Sequence, residues 1–126
     1  MLWTQVAAVS LGAVAGSLLR WGAGLWLNHR WAGFPLGTLF VNCAGGLFIG
    51  AILFWLERSP NELLRLLLVT GLLGGFTTFS AFSAESLMLF QRGQVVLALG
   101  HALAHFAGAL ACTAIGFRLA QSVLLR

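Results

Sequence analysis

The sequence predicts an all-α membrane protein of four transmembrane helices, the third of them broken. Three observations predict it. The composition is 60% hydrophobic and only 8% charged over 126 residues, more apolar surface than a soluble domain of this size can hide. Four apolar runs, about 3–27, 36–56, 63–90 and 95–117, each meet the roughly 20 residues that a helix needs to span a bilayer. In the third run, Gly74-Gly75-Phe76-Thr77-Thr78-Phe79-Ser80-Ala81-Phe82-Ser83 places glycines, hydroxyls and phenylalanines where a simple anchor would carry leucine. Hydroxylated or broken backbone at membrane depth is tolerated only where it faces protein or water. Residues 1–126 form a single transmembrane domain, in a multi-pass protein that needs a lipid bilayer.

The first run begins almost at the N-terminus, with no basic segment and no small-residue cleavage site before a hydrophilic domain, so a cleaved signal peptide is not expected. Its one charge is Arg20, near the end of the run. That side chain can snorkel, or pair with Glu85 or with a carbonyl. Residues 28–35 form the first connector, and the second run then carries Asn42, an amide in an apolar setting. Such a group is costly unless satisfied; it serves as interhelical glue or as a ligand contact. The second connector, Glu57-Arg58-Ser59-Pro60-Asn61-Glu62, contains a turn, with Asn61 as N-cap of the third helix.

The third run is too long for a straight span. About 28 residues measure roughly 42 Å at 1.5 Å per residue, against roughly 30 Å of hydrocarbon. A break costs least where two glycines meet two β-branched threonines, near residues 74–78. Beyond it, Phe79 and Phe82 share a helix face, and ring edges can receive an anion in a dry site. Thr77, Ser80, Ser83 and Ser86 recur at intervals of three, a row that drifts by roughly 60° per step. These hydroxyls can donate to an anion, accept from a cation, or bond back to their own helix. Glu85 is an intramembrane acid, and so either functional or half of a structural ion pair.

Gln91-Arg92-Gly93-Gln94 leads to the fourth run, in which His101 and His105 lie four apart on one face. That spacing suits a metal pair, but no third ligand adjoins them in sequence. Polar lining of a pathway, or hydrogen bonding within the bundle, fits them better. Cys43 and Cys112 sit in apolar runs as small packing residues, with no disulfide or zinc spacing.

Small residues four apart recur in every run: Gly12 and Gly16, Gly46 and Gly50, Gly71 and Gly75, and Gly100, Ala104, Gly108, Cys112 and Gly116. They let helix backbones approach closely in a compact bundle. Trp3, Trp21, Trp26, Trp31 and Trp55 lie mainly near span ends, as an interfacial belt requires.

There is no soluble domain to hold an active site, and no nucleophile–base constellation, nucleotide loop or metal cluster, so an enzyme is not expected. The seven basic residues are all arginines, scattered at span ends instead of forming a nucleic-acid stripe. Counted by side, Arg58, Arg65, Arg118 and Arg126 oppose Arg20, Arg30 and Arg92. Orientation depends on Lys/Arg asymmetry, and a split this even lets the chain insert both ways and pair as an antiparallel, dual-topology homodimer. Four helices are also too thin to enclose a pathway alone.

Gly37-Thr38-Leu39-x-Val41-Asn42-x-x-Gly45 followed by Gly74-Gly75-Phe76-Thr77-Thr78-Phe79-Ser80-x-Phe82-Ser83-x-Glu85 resembles the Fluc (CrcB) family of bacterial fluoride channels. Gly16 and Arg20-Trp21 fit as well, and the likeness covers essentially the whole chain. The resemblance implies a fluoride-selective channel of the bacterial inner membrane that exports fluoride passively. It implies an antiparallel dual-topology homodimer with two pores and a structural sodium ion at its centre. It implies that Phe79 and Phe82 are the pore phenylalanines and Asn42 a pore amide, with sodium on the backbone carbonyls of Gly74 and Thr77; Thr78, Ser80, Ser83 and His105 are the remaining candidates for the fluoride pore. Arg20, Glu85 and His101 are further polar candidates. Where the family often has Tyr and Ser on the fourth helix, this chain has His101 and His105. A small four-helix multidrug exporter is the main rival, and it predicts an acid in the first span, where this chain has none. A structural membrane subunit would carry no polar path.

Overall fold

The computed structural model describes residues 1–31 and 33–126. Helix α1, Leu2–Leu27, leads through residues 28–35 to α2, Leu36–Arg58. The Asn28 carboxamide oxygen accepts from the Gly37 N–H at 2.8 Å, which ties the connector to the first turn of α2. Trp31 and Phe34 stack in this connector with ring centroids 4.8 Å apart. Asn61 caps the next helix as its spacing predicts, accepting from the Leu64 N–H at 3.0 Å.

The third span runs from Glu62 to Gln91 in pieces: α3, Glu62–Arg65; a π-helical stretch, Leu66–Leu73; α4, Gly74–Phe76; and α5, Phe79–Gln91. The break falls within the expected interval but on the threonines. Gly74 keeps helical angles (φ −62°, ψ −37°), whereas Thr77 and Thr78 are extended at φ −85°, ψ 159° and φ −154°, ψ 122°. β-Branched side chains favour extended backbone. The Thr78 hydroxyl then restarts the helix by accepting from the Ala81 N–H at 3.1 Å. Gly93, at φ 73°, closes the turn into α6, Val95–Leu124.

Helix α6 outruns its expected end at 117. Residues 118–124 contain neither proline nor glycine, and the apolar run measured hydrocarbon thickness where the helix itself continues beyond. The other spans keep their expected limits to within two residues. Among the described residues, four helices are long and apolar enough to cross a membrane.

The bundle consists of two tightly interlocked pairs. Helix α1 lies against the first half of the third span, where a β-carbon on Gly71 would come 2.7 Å from the Val9 carbonyl oxygen, and one on Gly75 2.6 Å from that of Ala13. Helices α2 and α6 run in the same direction. A β-carbon on Gly46 would meet the Ala109 carbonyl at 2.6 Å, and one on Gly50 would meet the Phe117 nitrogen at 2.8 Å. Close backbone approach is what small residues at four-residue spacing permit. Val41, Phe54, Leu73, Leu89 and Ala98 are buried, while Trp3, Trp21, Leu103 and Phe106 are exposed.

Candidate functional site

Three rows of side chains meet beside the break. Thr38 and Asn42 are one turn apart on α2, His101 and His105 one turn apart on α6, and Phe79, Phe82 and Glu85 recur at intervals of three on α5. Spacings of three and four place residues on one helix face, so each helix presents its polar or aromatic row as a unit.

Asn42 latches the break. Its Oδ1 accepts from the Thr78 N–H at 2.8 Å, its Nδ2 donates to the Thr78 carbonyl at 3.0 Å, and the same Nδ2 lies 3.0 Å from His105 Nδ1. Both protons of this half-buried amide nitrogen are thereby used. The break leaves several carbonyls without helical partners, those of Gly74 and Thr77 among them. That of Gly74 would bond the Thr78 N–H, which goes to Asn42, and that of Thr77 would bond the Ala81 N–H, which goes to the Thr78 hydroxyl. The Gly75 carbonyl takes the Arg20 guanidinium, with Nε donating at 3.0 Å. Of the roles open to Arg20, the carbonyl is the one adopted.

Asn42, Gly74, Thr77, Thr78, Phe79, Phe82 and His105 line a single cavity of about 760 Å³. The Phe82 ring lies 4.7 Å from that of His105 and stacks on His101 at 5.4 Å. Phe79 sits 5.4 Å from Phe82, and it is 80% exposed. Ser80 and Ser83 are not part of the lining. Ser83 donates back to the Phe79 carbonyl at 2.9 Å, and Ser80 lies 3.2 Å from the Thr78 hydroxyl.

One turn along, Glu85 meets the histidines. Thr38 donates its hydroxyl to Glu85 Oε1, and Ser86 Oγ lies 2.9 Å from His101 Nδ1. Glu85 Oε2 and His101 Nε2 are 3.3 Å apart without the alignment of a hydrogen bond. One ligand atom each from Glu85, His101 and His105 lies within 4.8 Å of the other two. His101 is fully buried, and His105 nearly so. The third partner of the histidine pair is thus Glu85, supplied by another helix and invisible to spacing along α6. Sequence reasoning also passed over Thr38 and the Phe34 ring, which packs edge-on 5.2 Å from His101. Thr38 had a signal, since it lies one turn before Asn42 on the same face.

Hydroxyls, an amide, imidazoles and ring edges line this site, and Arg20 brings a positive charge to the Gly75 carbonyl at the break. Such a set can replace the hydration of a small anion. The sequence comparisons agree with that chemistry. The family described as CrcB-like protein, Camphor Resistance (CrcB), matches residues 7–117. A protein of Thiobacillus denitrificans named Fluoride-specific ion channel FluC is 47% identical over 90% of this chain and 94% of its own length. One of the same name from Aromatoleum aromaticum is 49% identical over 87% and 86%. Another, from Pseudomonas aeruginosa, is 43% identical over 91% and 92%.

Proposed function

Because this chain belongs to the CrcB-like family, we propose that it is a fluoride-selective channel that lets fluoride leave the bacterial cell passively across its membrane. The observation that carries this reading is the cavity at the break, where Asn42, Thr78, Phe79, Phe82 and His105 converge from three helices. Fluoride is small and holds its water tightly, so a selective path must supply donors that are numerous and individually weak. Hydroxyls, imidazole N–H and aromatic edges meet that need. The multidrug-exporter alternative has no support, because α1 carries Arg20 and no carboxylate. The buried polar rows of α2, α5 and α6 argue equally against a structural subunit.

The working form in this reading is an antiparallel, dual-topology homodimer. The near-even arginine distribution supports it, as does the exposure of Phe79 and Phe106 on the cavity wall. A second copy would cover those rings and close the path. The carbonyls of Gly74 and Thr77, deprived of helical partners, are hard oxygen donors of the kind that suit sodium. A bound sodium ion would supply a fixed positive charge between the two subunits. Arg20 adds charge of the same sign on the neighbouring carbonyl.

Two measurements test the proposal. Protein reconstituted in vesicles should release fluoride down its gradient far faster than chloride; equal rates, or no release, would reject the channel. Single cysteines at Ser59 should react with impermeant maleimide from both faces of the membrane. Labelling from one face alone would reject dual topology.

A further inference from the structure

Among the described residues, three buried side-chain atoms have no hydrogen-bond partner: Glu85 Oε2, His101 Nε2 and His105 Nε2. Two histidines and a carboxylate at this separation have the composition of a transition-metal site. The tautomer of His105 decides whether they can act as one.

That tautomer is set by the Thr78 peptide. Thr78 presents its N–H to Asn42 Oδ1 and its carbonyl to Asn42 Nδ2. A reversed amide would set N–H against N–H and oxygen against oxygen, so the orientation of Asn42 is fixed. The second proton on Nδ2 then meets His105 Nδ1 at 3.0 Å. An amide NH₂ donates and has no lone pair to offer. Nδ1 must therefore accept, and in the neutral ring the proton sits on Nε2. Metal ligation needs the Nε2 lone pair, with Nδ1–H donated to an outer acceptor. Asn42 imposes the reverse arrangement.

We propose that Asn42 is a positioning residue that holds His105 in its Nε2–H form, and so keeps the cluster of Glu85, His101 and His105 closed to transition-metal ions. The effect on fluoride release rests on the channel reading above; the tautomer does not. Phe82, with its ring 4.7 Å from that of His105, leaves the imidazole little room to turn over.

The direct test is nitrogen NMR of the full-length protein with ¹⁵N-labelled histidine, His105 being assigned by its disappearance in His105→Gln. The expected result is a neutral imidazole protonated at Nε2; a proton on Nδ1 overturns the proposal. Asn42→Asp replaces the donor by an acceptor. It should move the proton to Nδ1, slow fluoride release from vesicles by about tenfold or more, and create cobalt(II) binding visible as d–d absorption. That absorption should vanish when His101→Ala is added. Cobalt binding by the unaltered protein that His101→Ala abolishes would overturn the proposal, and because the unaltered protein decides both points, failure of Asn42→Asp to fold leaves the test intact. A protein that shows the Nε2–H form yet moves no fluoride refutes the channel reading and leaves the tautomer standing.

Discussion

The carboxamide of Asn42 and the backbone of Thr78 face one another as two strands of a sheet would, N–H to oxygen in both directions, at 2.8 and 3.0 Å. A side chain from α2 thus stands in for the helical hydrogen bonds that the third span gives up at its break.

Asn42→Ala should uncouple α2 from the break. It leaves the Thr78 N–H and carbonyl without partners in a setting poor in water, at a cost of about 2–4 kcal/mol. The expected outcome is a lower thermal midpoint in detergent together with loss of fluoride release. An unchanged midpoint would mean that water or a neighbouring group replaces the latch.

Phe79 and Phe82 should separate in their effects. Phe82 touches both histidine rings, and Phe79 touches only Phe82 among the aromatic rings described in this chain. Phe82→Ile should therefore lower thermal stability as well as slow fluoride release by about tenfold, the scale of a lost aromatic contact. Phe79→Ile should slow release and leave stability of the monomer unchanged. Equal destabilisation by the two would show that Phe79 is already packed by something beyond this chain.

The glycine rows give a graded test of helix packing. Gly50→Ala sets a methyl group against the backbone of α6, including the Phe117 nitrogen at 2.8 Å. No rotamer change relieves a backbone clash, and a loss of about 1–3 kcal/mol is expected. Gly100→Ala meets no atom within 4 Å and should be neutral, or stabilising by up to about 1 kcal/mol through helix propensity. Thermal melts of both variants check the contrast, which disappears if α2 and α6 are free to separate.

In the sodium-bound dimer proposed above, replacing sodium with N-methylglucamine should lower the thermal midpoint, because the carbonyls of Gly74 and Thr77 would lose the ion between them. At a hundredfold excess over its dissociation constant, a bound ion contributes about 2.7 kcal/mol. A midpoint indifferent to sodium would leave those carbonyls without an ion.

The four spans, the Asn61 cap and the location of the break were legible because each depends on local pattern: run length, a capping residue, a polar interruption. Placement of the break on the threonines was not legible. Two glycines are the cheaper place to bend a chain in isolation, but Gly75 is pressed against α1, 2.6 Å from the Ala13 carbonyl by its notional β-carbon, and helical geometry is what that contact holds. Asn42, Phe82 and His105 could be nominated from residue type. Their partnership, and that of Glu85 with Thr38 and His101, depends on how three helices are rotated about their axes. That rotation is set by tertiary packing between spans and has no signature within any one of them. Ser80 and Ser83 were nominated on the same grounds as Thr78. The Ser83 hydroxyl instead bonds back to its own helix, the usual fate of serine in an apolar span, and that of Ser80 pairs with the Thr78 hydroxyl.

The two extended residues at the break also divide electrostatics, not only geometry. Peptide dipoles align along a helix, giving a partial negative charge at its C-terminal end and a partial positive charge at its N-terminal end. A continuous span would keep both at the membrane surfaces. Here Phe76 ends one helix and Phe79 begins the next, at the middle of a span of 30 residues. The interruption therefore creates a negative pole and a positive pole side by side at the depth where lipid screens least. The chain thereby sets opposite partial charges within a few residues of one another, and the Arg20 guanidinium meets the negative one at the Gly75 carbonyl.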